Sequence, residues 1–172
     1  MEMIRRLHII ESSTAISAST IRALVEQRVW QAGRAPCIIV DYLQLMHADK
    51  AADSASRRER VDGTISALKL LSRDYATPVI VISALSRAAY KAAPALDGFK
   101  ETGGIEYTAD VIYALTPAPE RRAAGEDAMT AHLARDPRRV CLTCLKNRYG
   151  PAGTVIELSY HAACETFMPR RG

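Results

Sequence analysis

The chain has 172 residues, 48% of them hydrophobic and 24% charged, with a net charge of +4. That length suits one globular domain with a continuous core, and the longest unbroken apolar run, Val111–Leu115, falls far short of the ~20 residues a membrane helix needs. Met1–Ile10 is interrupted by Arg5, Arg6 and His8, which leaves no signal-peptide core, so the expectation is a cytoplasmic protein with no membrane partner.

Arg6–Ile10 reads as a short apolar strand closed by Glu11-Ser12-Ser13-Thr14. Ser17 or Ser19 can cap the helix that follows, which carries Ile21, Leu24, Val25 and Val29 on one side and ends at Gly33. Cys37-Ile38-Ile39-Val40 is then apolar at every position, the mark of a parallel strand buried on both faces. His47–Ser56 reads as loop, and Arg57–Ala76 as a helix with Val61, Ile65, Leu68, Leu71 and Tyr75 on one stripe. Pro78 ends it and opens a second buried strand, Val79–Ile82; Asp110–Leu115 is a third. Strand–helix–strand–helix–strand predicts an α/β fold with a mainly parallel sheet. Thr116–Arg139, with three prolines and no period, is expected to be a mobile excursion within a single domain, residues 1–172. Arg139–Leu145, Thr154–Tyr160 and Glu165–Met168 predict antiparallel strands joined by turns.

Basic charge comes from 18 arginines against 5 lysines. Arginine forks onto phosphates, yet a GC-rich genome gives the same enrichment. Aromatics are 6% of the chain and not interleaved with basic residues, which disfavours a base-stacking sheet. Cys37, Cys141, Cys144 and Cys164 are too few for a disulfide scaffold. Cys141 and Cys144 have metal-like spacing, but no second pair answers them and a strand sends i and i+3 to opposite faces. There is no His-x-x-x-His pair and no Gly-x-Ser-x-Gly elbow, so zinc hydrolase and serine esterase chemistries drop out.

Ile38-Ile39-Val40-Asp41 puts a carboxylate at the carboxyl end of a buried strand. Ligands of α/β sheets bind at that edge, and a carboxylate there can hold Mg²⁺ through water. Continued as Val40-Asp41-Tyr42-Leu43-Gln44-Leu45-Met46, the segment resembles the Walker B region of DnaB-type replicative DNA helicases. Three further stretches follow in that family's order. Ser83-Ala84-Leu85-Ser86-Arg87 is similar to its Ser-Gln-Leu-Ser-Arg motif. Lys100-Glu101-Thr102-Gly103-Gly104-Ile105-Glu106 through Ala109-Asp110 resembles its Arg-Glu-Ser-Gly-Ser-Ile-Glu…Ala-Asp stretch. Lys146-Asn147-Arg148-Tyr149-Gly150-Pro151-Ala152-Gly153 resembles its Lys-x-Arg-x-Gly-Pro-x-Gly hairpin.

The resemblance implies a RecA-like domain of the P-loop NTPase type: a parallel sheet flanked by helices, then an antiparallel hairpin, in a hexameric ring that uses ATP and Mg²⁺. It implies that Asp41, with Gln44 beside it, attends the nucleotide, Asp41 orienting Mg²⁺ and its waters. Lys146 and Arg148 would be the catalytic groups reaching a neighbour's γ-phosphate, Arg148 as an arginine finger. Arg87, Lys100, Glu101 and Gly103 would face single-stranded DNA. Glu106 and Asp110 would order the segment before the third strand. Two departures matter. The 172 residues contain no Gly-x-x-x-x-Gly-Lys-Ser/Thr; Gly98-Phe99-Lys100-Glu101-Thr102-Gly103 is followed by Gly104 and Ile105. The strand feeding that loop and the family's catalytic glutamate are missing with it, so the expectation is a partial domain, inactive alone, that binds DNA weakly. Ala84 stands where the family has a glutamine, and a methyl group cannot hydrogen-bond. A non-catalytic relic or interaction module is the alternative. The cut sheet predicts either self-association or direct pairing of Val79–Ile82 with Val111–Leu115 across the gap.

Overall fold

A computed structural model describes residues 7–11, 16–49, 55–86, 93–98, 104–118 and 130–170. The chain divides into two compact units, residues 1–82 and 83–172.

In the first unit, α1 (Ala18–Ala32) starts at Ser17, whose side chain accepts the Thr20 N–H, and ends at Gly33. Gly33 has φ +69, a left-handed conformation that a Cβ disfavours, and its N–H closes on the Val29 carbonyl. Ser19, the other candidate cap, lies inside the helix; its N–H donates to Asp49 (2.9 Å) and its hydroxyl to the same carboxylate. Strand β1 (Ile38–Val40) and strand β2 (Val79–Val81) pair in parallel, Ile38 with Val79, Ile39 with Ile80 and Val40 with Val81. Between them α2 (Arg57–Asp74) begins with a reciprocal cap: Ser56 Oγ accepts the Glu59 N–H and the Glu59 carboxylate accepts the Ser56 N–H. Val61, Thr64, Leu68 and Leu71 form its buried stripe. Just before β2, Thr77 Oγ1 donates to the Pro36 carbonyl (2.6 Å), and the Ile38 N–H donates to the Pro78 carbonyl (3.0 Å). These bonds set the register of the parallel pair.

The second unit is built on a meander. After a short helix α3 (Gly104–Thr108), strands β3 (Val111–Pro117), β4 (Arg138–Asn147), β5 (Val155–His161) and β6 (Thr166–Pro169) pair antiparallel in that order. β3 alternates, with Ile112, Ala114 and Thr116 buried and Val111, Tyr113 and Leu115 exposed. Cys141 lies opposite Thr116 and Cys144 opposite Tyr113, positions of opposite parity on β3; both residues are buried, and neither is in a disulfide.

Four expectations are corrected. Residues 7–10, the described part of the Arg6–Ile10 strand, form no ladder, and Leu7 and Ile9 are exposed. The apolar strands are not covered on both faces: Ile39 and Ile80, side by side in the register, are 62% and 52% exposed, and Ile82 is also open. The helices of this unit, which pack on each other and reach the sheet through α2, leave that face open. β3 is not a third parallel strand; its partner is β4. Nor are β2 and β3 joined across a gap, because they belong to different sheets. The α/β class holds, with two parallel strands and four antiparallel ones among the described residues. Within the expected Thr116–Arg139 excursion, β3 runs on to Pro117, residues 130–133 are helical and β4 starts at Arg138. Residues 119–129, its centre, lie outside the described residues.

Candidate functional site

In the first unit the site is the carboxyl edge of the parallel pair. β1 delivers Asp41 there as an exposed residue. The chain then folds back: the Leu43 N–H donates to the Ile82 carbonyl at the end of β2 (2.8 Å), and Leu43–Leu45 form a single 3₁₀ turn. Leu43 is buried and anchors the turn, which leaves Gln44 half-exposed three residues after Asp41. The His47 N–H on the Ile16 carbonyl (2.9 Å) and Asp49 on Ser19 tie the following segment to the start of α1. Gln44, Leu45, Met46, His47, Arg57 and Arg60 line an open groove of about 360 Å³. One exposed carboxylate suits Mg²⁺, a hard ion that keeps most of its waters and is commonly held by one or two carboxylates plus phosphate oxygens. The donor set at Asp41 therefore fits the ion. A phosphate cradle is not among these 172 residues.

In the second unit the β4 end and its turn present Lys146 and Arg148. Lys146 stands opposite Ile112 and Asn147 opposite Val111, beside an irregularity between Ile112 and Tyr113. The ladder is extended one step by the Arg148 N–H, which donates to the Asp110 carbonyl (2.9 Å). Both basic side chains then turn toward α3. Lys146 Nζ donates to the Glu106 carbonyl at 2.5 Å. Arg148 donates through Nη1 to Asp110 Oδ1 (3.0 Å) and through Nη2 to the Tyr107 carbonyl (3.3 Å). The last carbonyls of a helix lack intrahelical partners and carry partial negative charge, so cations settle there. The turn is closed by Gly153, at φ +89, whose N–H reaches the Cys144 carbonyl (2.7 Å). Asn147 Oδ1 accepts the Tyr149 N–H (3.1 Å) and leaves Tyr149 81% exposed at the tip.

The structure thus brings Asp41 and Gln44 together on one sheet edge, and Lys146 and Arg148 together on one hairpin. Arg87, Lys100, Glu101 and Gly103 lie outside the described residues. Sequence reasoning gave Asp110 a role in ordering the chain before β3 but missed its pairing with Arg148. The signal was faint: an Ala-Asp step just before a strand, 38 residues from its partner.

Comparison with known proteins bears on both halves. The family model described as the DnaB-like helicase C terminal domain matches residues 1–169. The chain is 28% identical over 173 residues to the replicative DNA helicase DnaB of Mycoplasma pneumoniae, covering 98% of this chain and 36% of that protein. It is 35% identical over 151 residues to the protein of the same name from Leifsonia xyli subsp. xyli, covering 85% and 30%. It therefore spans about a third of the length of the curated relatives it matches. Among solved structures, an ATPase domain matches with a TM-score of 0.72 at 24% identity, covering 91% of this chain and 52% of that one. A DnaB-like replicative helicase, solved in a study of its interactions with primase, matches with a TM-score of 0.75 at 24% identity, covering 94% and 38%. The fold is that of a RecA-like ATPase domain. No helix among the described residues is long and apolar enough to cross a membrane.

Proposed function

Because the chain belongs to the DnaB-like helicase C-terminal domain family, we propose that it serves as one subunit's share of an ATP-dependent DNA helicase ring in replication, acting in the cytoplasm. Two separate groups would do the work. Asp41, exposed at the carboxyl edge of β1, would hold Mg²⁺ through water, and Gln44 on the adjoining turn would offer its amide to the same nucleotide. Magnesium-bound ATP supplies the phosphoryl group whose transfer to water releases the driving energy. Lys146 and Arg148 would face the nucleotide of a ring neighbour, where an ammonium and a guanidinium offset charge that grows on the phosphoryl oxygens. Arg87, Lys100, Glu101 and Gly103 would contact single-stranded DNA, the basic side chains and backbone amides following phosphates. The observation that carries the reading is the pairing of Lys146 and Arg148 on one hairpin, each held by a bond to α3.

By itself the 172-residue chain would hydrolyse no ATP, since it contains no phosphate loop to position the nucleotide. The test is a chimaera in which the upstream part of the Leifsonia xyli helicase precedes this chain. Arg148→Ala there should lower kcat by roughly 10³ or more while nucleotide binding is kept. Mixing that variant with one lacking the phosphate-loop lysine should restore some activity, because the finger serves the neighbour. The alternative, a non-catalytic DnaB-like relic or interaction module, draws on Ala84 and on the missing loop. It predicts a chimaera that assembles but turns over no faster than its Arg148→Ala variant.

A further inference from the structure

Residues 107–110 meet Arg148 three times: the Tyr107 carbonyl and Asp110 Oδ1 take its two Nη groups, and the Asp110 carbonyl takes its backbone N–H. Lys146 is held in a similar way nearby, on the Glu106 carbonyl. Exposed arginines ordinarily sample many rotamers, and that freedom must be surrendered when the guanidinium meets an anion. Here the surrender precedes the encounter. The two side-chain bonds occupy two of the five N–H groups of a guanidinium, and the side chain is still 46% exposed. Each terminal nitrogen is thus held by one bond, and the other three N–H groups of the guanidinium remain to meet an incoming oxyanion. The charge-assisted bond that the guanidinium donates to the Asp110 carboxylate is the stronger of the two holds, and Asp110 is also the residue that fixes the backbone.

We infer that Asp110 is a positioning residue for Arg148, holding the guanidinium at the hairpin turn in the orientation that a neighbour's phosphate will meet. The inference rests on the proposed function for its purpose, though not for its geometry.

The test is nuclear magnetic resonance of the whole 172-residue chain, following the Arg148 Nε–Hε signal in the wild type, in Asp110→Ala and in Asp110→Asn. In the wild type Arg148 should be as rigid as the β4 backbone. In Asp110→Ala the signal should become mobile and exchange about tenfold faster or more, while amide protection across β3–β5 is kept. Asp110→Asn retains an acceptor oxygen without the charge and should fall between the two; it also serves if Asp110→Ala fails to fold. An Arg148 that is mobile in the wild type, or equally ordered in Asp110→Asn and wild type, overturns the inference. In the chimaera, Asp110→Ala should lower kcat by about 10- to 100-fold with KM unchanged, the scale of a misplaced group. It should add nothing to Arg148→Ala. If Arg148→Ala is slow and Asp110→Ala is not, positioning fails alone. If Arg148→Ala itself is neutral, the functional reading fails, and the resonance result still decides the geometry.

Discussion

Asp136 receives two successive N–H groups, from Ala162 (2.9 Å) and Ala163 (3.0 Å), and these bonds hold its carboxyl below the usual range. Two other carboxyls are lowered in the first unit. Asp74 is held down by the Arg22 guanidinium at 2.8 Å, and Glu59 by its bonds with Ser56. A carboxyl depressed by folding stabilises the protein above its unfolded-state value and ceases to do so as pH falls through the folded one. Thermal melts should therefore be level above about pH 5 and decline below about pH 4. Asp136→Asn should lower the Tm at pH 7 and flatten that decline; an unchanged acid limb would show that Asp136 contributes nothing. All three groups are solvent-exposed, so each effect is small. The Arg22 side chain also lies over the Tyr75 ring at 5.4 Å, and Tyr75 donates to Glu26 at 2.7 Å. Apart from the Ser56–Glu59 cap, none of these pairings was legible in the sequence, since each joins residues 26 or more apart.

Helix α2 shows how far an element can be read from its letters. Its predicted start, Arg57, is the observed one, because Ser56 and Glu59 form a cap legible three residues apart. Ser56→Ala should cost about 1 kcal/mol in a urea or thermal titration. Within the helix Gly63 is exposed and has open space where a Cβ would stand. Gly63→Ala should therefore stabilise by about 0.5–1 kcal/mol, the helix-propensity difference. At Gly33 space is open too, but φ is +69, so Gly33→Ala should destabilise by about 1 kcal/mol. Opposite signs for two glycine-to-alanine changes with equally free surroundings separate backbone conformation from packing. A loss of stability at Gly63 would mean that the helix is held for some other reason than its own propensity. The strands were less legible than the helices. β1 and β2 are apolar throughout, which argues for two covered faces, but Ile39 and Ile80, paired across the register, are both exposed.

The scale of the whole chain decides its interactions. A net charge of +4 on 172 residues is a modest electrostatic footprint, and one chain presents one set of contacts rather than a ring of them. Single-stranded DNA should bind weakly, with affinity that falls steeply as salt rises. Nanomolar binding that survives ~200 mM salt would instead indicate a dedicated nucleic-acid module. The two units each carry part of the proposed chemistry: the Mg²⁺ carboxylate lies in residues 1–82 and the basic hairpin in residues 83–172. An ATPase assay of the 172-residue chain, with and without DNA, should stay at background. Turnover abolished by Asp41→Ala would reveal a phosphate site formed by other residues.

What the amino-acid order determined alone was local and periodic. Helices α1 and α2, the positions of β1 to β6 and the four family motifs depend on neighbours a few residues apart, and the capping and turn chemistry that bounds them is short-ranged. The same holds for Asp41 at a strand end, a position that follows from four apolar residues and a charge. Tertiary structure decided which strands pair, which faces are covered and which charges meet. β3 joined β4 because an antiparallel ladder with a long return segment satisfied its backbone, and its apolar run was equally consistent with a parallel partner. Arg148 found Asp110 for the same reason: the ladder aligned the end of β4 with the start of β3, and alignment between distant segments is written in the pairing of backbones, not in either segment alone.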